Sequence, residues 1–388
     1  MRRRDVAVAV AVTGLLLSAC GSETKDAVGA SPSAEGTPAA SAAPTPSATP
    51  TAEAAADPAS VKANELGKVP VMMYHQIKAP AEGKKIGEYD QTPDEFRAEL
   101  TRMYDAGFRP VTTRDLIAGK IDIPAGKHPV VLTFDDASAS QIQIGADGNP
   151  TADSAVGIME QFEKDHPDWK STASMYVNTA PKAFLDDKAL PWLAANGYEI
   201  GAHTVNHANL KQSSDATVQK ELGKNVADVL AIVPGYEITT MARPFGIAAV
   251  NEALMYAGSF EGQDYKFDGV LLVGSDPSKS PFNAEFDPHY VHRIRSGPKT
   301  APVDTDSTFW LDLFDKGKWS VYTSDGNPDK ISYPADSTVK IADKYKDKAN
   351  PYAESGSSMA TSAPTSASTS SPEPTTTSSP EATSTPSS

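Results

Sequence analysis

Two short segments of the sequence carry side chains that can bind a metal ion. Residues 133–136, TFDD, place two adjacent carboxylates directly after an apolar run. Neighbouring acids repel each other, so this pair favours a site with a positive charge beside it. Residues 201–207, GAHTVNH, follow a second apolar run and space two histidines four residues apart. Two imidazoles at this spacing can reach one ion from a single turn.

Together the two segments supply the ligand set typical of catalytic zinc. Two histidines and one carboxylate leave one position of a tetrahedral ion open for water, whereas structural zinc sites are closed by a fourth protein ligand. Taken singly, an Asp-Asp pair is more often a solvated turn and a histidine pair is more often incidental. Because both follow strand candidates, their combination predicts a divalent metal. Zinc is the default, and such ligands also accept cobalt or nickel.

The elements that must position these residues are short apolar runs separated by helical segments. A helix start at Thr92 has a capping residue, Pro93 at the first helical position and Glu95 at the third. Apolar runs without alternation are typical of parallel strands covered on both faces, so the pattern predicts a barrel or a doubly wound sheet. The strand candidates are 69–74, 130–134, 173–177, 198–202, 269–273 and 290–294, and further helix candidates are 190–196 and 218–232.

The paired motifs resemble a known family. TFDD followed by HTxxH is similar to the first two motifs of the polysaccharide deacetylases, the family 4 carbohydrate esterases. Residues 70–75, PVMMYH, also resemble the start of the branch that includes poly-N-acetylglucosamine deacetylases. The resemblance covers about residues 68–295 and implies an α/β fold, a distorted (β/α) barrel. It also implies that Asp135 is the general base and that Asp136, His203 and His207 bind the metal.

The later motifs depart from the family pattern. The third motif is usually RPPYG, but residues 242–246 read ARPFG, which puts Arg243 one position late. The arginine that orients Asp135 is therefore Arg243 or Arg293. The fourth motif has no match, and the fifth, which supplies the general acid, is matched only in part by residues 290–292, YVH. The acid is then His292 or His75, and the position of the fifth motif favours His292.

The resemblance implies a reaction and leaves three functions open. A metal polarises the acetyl carbonyl and acidifies water, Asp135 accepts the proton of that water, and a histidine protonates the leaving amine. The first candidate function is de-N-acetylation of peptidoglycan or a poly-N-acetylglucosamine. The second is O-deacetylation of an external polysaccharide such as xylan. The third is glycan binding by a catalytically impaired lipoprotein, and Asp135 argues against it because a binding protein needs no base.

The first twenty residues predict export and lipidation. A basic start at Arg2, Arg3 and Arg4 precedes an apolar stretch, residues 6–17, which is shorter than the ~20 residues that a membrane-spanning helix needs. Residues 17–20, LSAC, resemble a bacterial lipobox, so Cys20 is the expected lipidation site. The anchor places the enzyme on the outer face of the cytoplasmic membrane and favours an envelope substrate. As the single cysteine, Cys20 forms no internal disulfide.

Composition divides the chain into four predicted regions. They are a signal peptide (1–19), a tether rich in Ala, Ser, Pro and Thr (20–66), the catalytic domain (67–354) and a disordered tail rich in Ser, Thr and Pro (355–388). The net charge of −15 argues against nucleic acid, which requires a basic surface. The expected partners are an acetylated polysaccharide and, through the lipid, a membrane. The protein is expected to be a monomer.

Overall fold

The computed structural model describes residues 56–274, 276–297 and 306–353, all within the unit Ala52–Ser388. The predicted signal peptide, Cys20, the tether up to residue 55 and the tail 355–388 lie outside the described residues. None of the helices in these ranges is long and apolar enough to cross a membrane.

The described residues form twelve strands and six α-helices. The strands are β1 (Val71–Tyr74), β2 (Phe108–Val111), β3 (His128–Phe134), β4 (Ser174–Val177), β5 (Glu199–Ala202), β6 (Thr240–Ala242), β7 (Ala257–Phe260), β8 (Gln263–Lys266), β9 (Gly269–Leu271), β10 (Ile294–Arg295), β11 (Ile331–Pro334) and β12 (Ala349–Tyr352). The helices are α1 (Pro93–Asp105), α2 (Thr113–Ala118), α3 (Ala155–Asp165), α4 (Ala189–Ala195), α5 (Asp215–Ile232) and α6 (Ser307–Asp315).

Seven parallel strands form the central sheet, in the order β10-β1-β3-β4-β5-β6-β9. Its two ends come together because Leu271 of β9 pairs with Val291, just before β10. One edge of β3 is shared, since β2 pairs with residues 128–131 and β4 with residues 133–134. The sheet is therefore a distorted (β/α) barrel, as the sequence predicted.

Local sequence signals account for the elements next to the site. At α1 the Thr92 hydroxyl accepts a hydrogen bond from the backbone N–H of Glu95, and the Glu95 carboxylate accepts one from the N–H of Thr92. This reciprocal cap confirms the predicted helix start. The helix predicted from residue 218 begins earlier, at Asp215, because the Ser214 hydroxyl caps it by accepting from the N–H of Thr217.

Two predicted boundaries differ from the structure. The strand predicted over 290–294 is reduced to β10 and the single pairing of Val291, because these residues bridge β9 and β1 where the barrel closes. The folded domain also begins before residue 67. Ala63 and Leu66 are buried, so the last residues assigned to the tether are part of the core.

The N-terminal segment of the described chain is fastened to the C-terminal one through Glu65. Its carboxylate accepts hydrogen bonds from the backbone N–H of Ser332 and from the Tyr322 hydroxyl, at 2.7 and 3.0 Å. Burial, reinforced by the negative charge of Asp325, raises the pKa of Glu65 to about 8 despite these two hydrogen bonds.

We expect the stability of the protein to fall between about pH 5 and pH 8 because of Glu65. Its pKa in the folded state lies above the value of roughly 4.3 in the unfolded chain. In this window Glu65 is therefore protonated in the folded state and ionised in the unfolded chain, and the stability that this difference contributes is lost as the pH rises. Thermal unfolding of wild type and Glu65→Gln across this range measures the effect. The variant should lose roughly 2–4 kcal/mol less than wild type between the two pH values. Parallel curves for the two proteins would contradict the assignment.

Candidate metal centre

Five of the predicted site residues follow three strands of the barrel at the same end. His75 follows β1, the carboxylates of Asp135 and Asp136 follow β3, and His203 and His207 follow β5. Because the strands are parallel, their carboxyl ends meet at one face, where barrels of this kind build their active sites.

Asp136, His203 and His207 form a three-residue cluster, and among the described residues theirs is the group with metal-binding geometry. The Asp136 Oδ1 atom lies 3.4 Å from His203 Nε2 and 3.5 Å from His207 Nε2. Two ligand atoms that each lie about 2.0–2.1 Å from a tetrahedral ion are roughly 3.3–3.4 Å apart. The two separations therefore fit one ion bound between the three side chains.

The protonation states of the two histidines also favour binding of a cation. His203 Nδ1 lies 2.8 Å from the carbonyl oxygen of Ala242, which can only accept, so Nδ1 carries the proton and Nε2 presents a lone pair. Within the described chain, His203 Nε2 and Asp136 Oδ1 are buried and have no hydrogen-bond partner. Burial lowers the pKa of His207, and the neighbouring His203 lowers it further, which favours the neutral imidazole that binds metals. Lone pairs that face each other in this way are stabilised by a bound metal ion.

The backbone that carries the ligands is strained. Asp136, Thr204 and His207 have φ angles of 79°, 68° and 53°, in the left-handed region that residues other than glycine seldom occupy. Strain of this kind is concentrated at functional sites, where the surrounding structure holds it in place. Here two buried amides do so: Asn225 Nδ2 donates to the carbonyl of Thr204 at 2.8 Å, and Asn178 Nδ2 donates to it at 3.1 Å.

Sequence analysis missed these supporting residues. Asn178 follows β4 directly and Asn225 lies on α5, and neither belongs to a motif. Gln141 was missed as well. Its buried side-chain amide donates to the backbone carbonyls of His75 and Asp135, at 2.7 and 2.5 Å, and so joins the loops after β1 and β3. The sequence signal that could have revealed Asn178 is its position directly after the strand candidate 173–177, at the end of the strand where the other site residues lie.

Arg293 contacts Asp135. Its guanidinium donates two hydrogen bonds to the Asp135 carboxylate, at 2.7 and 2.8 Å, and both side chains are buried. Its remaining donors reach the carbonyl of Leu272 and the hydroxyl of Thr133. Burial alone would raise the pKa of Asp135, but the positive charge of Arg293 and the hydrogen bonds that it donates outweigh this effect and hold that pKa well below its usual range. The carboxylate is therefore ionised.

Arg243, the alternative arginine, lies in a different environment. It is buried against the ring of Tyr290, 4.8 Å from the ring centre, and approaches Glu252 at 3.7 Å. It donates to the backbone carbonyl of His289. None of these contacts involves Asp135, so of the two arginines that the sequence left open, Arg293 is the one that holds the carboxylate.

The structure also separates the two histidines proposed as general acid. His75 interacts electrostatically with the side chains of Asp135, Asp136, Arg293 and His203. In the described part of the chain, its Nδ1 atom is buried without a hydrogen-bond partner. Burial lowers the pKa of His75 despite the two carboxylates.

His292 points away from the cluster. Its side chain is 49% exposed, 4.0 Å from Asp276, and lines a cavity of about 460 Å³ together with Lys68 and Tyr290. Side chains alternate along an extended chain, so His292 points outward because Arg293 points inward. The preference for His292 as the acid is therefore not supported by its placement.

Comparison with known proteins identifies the class of this domain. Residues 122–259 match the family model described as polysaccharide deacetylase, a range that contains both carboxylates and both histidines of the cluster. The chain therefore contains a polysaccharide deacetylase domain, as its motifs predicted.

Individual relatives are distant. A gellan lyase of a Bacillus species is 31% identical over 125 residues, which are 30% of this chain and 5% of the lyase. The Bacillus subtilis (strain 168) protein YxkH, whose name describes it as a polysaccharide deacetylase, is 22% identical over 190 residues, 46% of this chain and 59% of that protein. The matches thus span less than two thirds of either relative.

Solved structures with a similar chain path include a streptococcal deacetylase and a protein from Ammonifex degensii. The Streptococcus pyogenes deacetylase PplD, in complex with acetate, is 20% identical, with a TM-score of 0.48 over 64% of this chain and 98% of that chain. IcaB from Ammonifex degensii is 17% identical, with a TM-score of 0.46 over 65% of this chain and 97% of that chain.

Proposed function

We propose that this protein is a metal-dependent hydrolase that removes N-acetyl groups from a cell-envelope polysaccharide, either peptidoglycan or a poly-N-acetylglucosamine. The observation that carries the proposal is the pairing of two features at one end of the barrel. One is a ligand set with facing lone pairs, and the other is a buried carboxylate, Asp135, held ionised beside it. A site for glycan binding alone has no need of the second feature.

Asp136, His203 and His207 are the proposed ligands, and zinc is the proposed metal. Cobalt and nickel suit the same donors. When bound, a divalent ion supplies a Lewis acid for the acetyl carbonyl and makes water more acidic. Among the described residues the cluster supplies three ligands, which leaves one position of a tetrahedral ion for water.

Asp135 is the proposed acceptor of the proton that the attacking water loses. Arg293 fixes the direction of the carboxylate and keeps it charged, so the acceptor is ionised at neutral pH. The same ion pair makes Asp135 a weak base. A proton taken up there is therefore held loosely and passes on readily.

His75 is the proposed donor to the leaving amine. The side chain of Gln141 links the backbone of His75 to that of Asp135. The Nδ1 atom of His75 has no hydrogen-bond partner among the described residues. Because its pKa is lowered, the imidazole is neutral at rest and can take up the proton released from the water before giving it to the amine.

His75→Ala should therefore impair amide hydrolysis selectively. A general acid contributes about 10²–10⁴-fold, so kcat on an acetamido sugar should fall by that order. Hydrolysis of an aryl acetate should fall much less, because its leaving group needs no proton. His292→Ala, which removes a histidine outside the cluster, is the matched control and should leave both rates near wild type. A selective amide defect in His292→Ala would reverse the assignment.

Acetate release tests the proposed function directly. Metal-stripped protein receives zinc, cobalt or nickel and is offered peptidoglycan, N-acetylglucosamine oligomers and acetyl-xylan. Release from the first two substrates, restored by metal, supports the proposal. Release from acetyl-xylan alone would instead make the protein an O-deacetylase. If the protein bound the oligomers but released no acetate under any of these conditions, it would be a glycan-binding protein.

We further propose that the enzyme is exported and held at the outer face of the cytoplasmic membrane by a lipid on Cys20. The lipobox and the single cysteine support this placement. Cys20→Ala should yield a protein that is released or kept as an uncut precursor, as seen by fractionation and mass spectrometry of the N-terminus. A variant that stays lipidated and as firmly bound to membranes as wild type would refute the anchor.

A further inference from the structure

Exposed aromatic rings lie against two of the site histidines. Tyr89, 41% exposed, has its ring centre 5.1 Å from that of His75. Phe245, 57% exposed, has its ring centre 4.3 Å from that of His207. Singly scattered exposed apolar side chains are common on protein surfaces, but two exposed rings grouped beside one polar site are typical of a surface that binds a ligand. Phe245 belongs to the segment that resembles the third family motif, whereas Tyr89 belongs to no motif.

Tyr89 is held in place although it is exposed. The guanidinium of Arg295 lies over its ring, 5.1 Å from the centre, and Arg295 in turn is paired with Glu88 at 2.5 Å. A side chain that is already immobilised loses little entropy when a ligand packs on it.

The loop that carries Tyr89 is closed at its base. The N–H of Lys78 donates to the carbonyl of Gln91, and the N–H of Gln91 donates to the carbonyl of Gln76. Lys78 and Asp90 form an ion pair across the same base at 3.2 Å. The two ends of the loop are thus fixed next to His75, and the ring of Tyr89 forms a wall beside the proposed proton donor.

We infer that Tyr89 is a substrate-positioning residue whose ring stacks on the sugar unit next to the one that loses its acetyl group. An aromatic face with its polar tip free suits a pyranose, which presents an apolar face of C–H groups and a polar rim. In the described chain the Tyr89 hydroxyl makes no hydrogen bond, so it remains available to that rim. The inference rests on the proposed function and deepens it, because it makes the substrate an oligomer or polymer and not a free sugar.

The test compares substrates of different length. Tyr89→Ala is assayed with N-acetylglucosamine and its oligomers up to the pentamer, beside Tyr89→Phe and Tyr89→Trp, which keep an aromatic ring. An aromatic contact of this kind corresponds to about 3–10-fold. We expect KM to rise by that factor on the longer oligomers with kcat little changed, no effect on the monosaccharide, and recovery in the Phe and Trp variants. Tyr290→Ala is the matched control, since Tyr290 is equally exposed, at 41%, but packs on Arg243.

Two results would overturn the inference. A fall in kcat that is equal for all lengths would show that Tyr89 acts by supporting His75. Calorimetry compares the metal-loaded variants Asp135→Asn and Asp135→Asn/Tyr89→Ala. Equal affinity of these two proteins for the pentamer would show that the ring binds no sugar. Calorimetry also separates this inference from the proposed function, because it reports on Tyr89 even if no substrate releases acetate.

Discussion

His203→Ala and His207→Ala should each abolish tight metal binding and acetate release, whereas Asp135→Asn should keep the metal and lose turnover. The two histidines and Asp136 present the facing lone pairs of the cluster, so loss of either imidazole removes a ligand. Asp135 engages Arg293 with both oxygens and stands 3.9 Å from His203 Nε2. Its amide analogue keeps the shape of the side chain but cannot accept the proton, which should cost about 10²–10⁴-fold in kcat.

Metal content by mass spectrometry, measured on the same preparations as acetate release, checks both halves of this prediction. His166→Ala is the control for loss of a histidine, because that ring packs against Tyr104 and Phe162 instead. Its metal content and activity should equal those of wild type. Loss of metal in Asp135→Asn would place Asp135 among the ligands, and retention of metal in both histidine variants would remove the cluster as the binding site.

Much of the fold and the metal cluster follows from local patterns in the sequence. The apolar runs that became β1, β3 and β5 are continuous, and each is followed directly by polar residues with chemical function. Parallel strands bring such residues to one face, so two motifs about 70 residues apart could be placed together before their distance was known. The cap at Thr92 is equally local and was predicted for the same reason.

The choice of arginine and of the proton donor depends on contacts that no local pattern contains. Arg293 reaches Asp135 because β10 pairs with β1, which in turn pairs with β3, and this order is set by closure of the barrel. The orientation of His292 follows from that of Arg293 one residue later, so a correct choice of arginine would also have excluded His292. The amides of Asn225 and Gln141 have partners that are distant in sequence, and their type alone does not reveal them.

Arg293→Met should both destabilise the protein and abolish acetate release, whereas Arg243→Met should retain activity. Removing Arg293 leaves the Asp135 carboxylate buried without its partner, which typically costs about 3–5 kcal/mol. The same loss raises the pKa of Asp135, since Arg293 is the main charge that opposes the effect of burial. A protonated Asp135 cannot accept a proton from water. Arg243 contacts Glu252 and Tyr290, so its removal affects only interactions away from the base.

Two further variants separate stability from catalysis in this prediction. The double variant Asp135→Asn/Arg293→Met removes both charges, so it should regain most of the stability lost in Arg293→Met and none of the activity. Arg293→Lys keeps a charge but cannot make the paired contact, so it should be intermediate in both. Denaturant unfolding gives the stabilities, and the acid limb of the kcat profile should move to higher pH in Arg293→Lys, because Asp135 loses part of the interaction that keeps it ionised. If Arg243→Met lost acetate release with its metal content intact while Arg293→Met kept it, the orienting role would belong to Arg243, and the paired contact of Arg293 with Asp135 would serve the stability of the barrel alone.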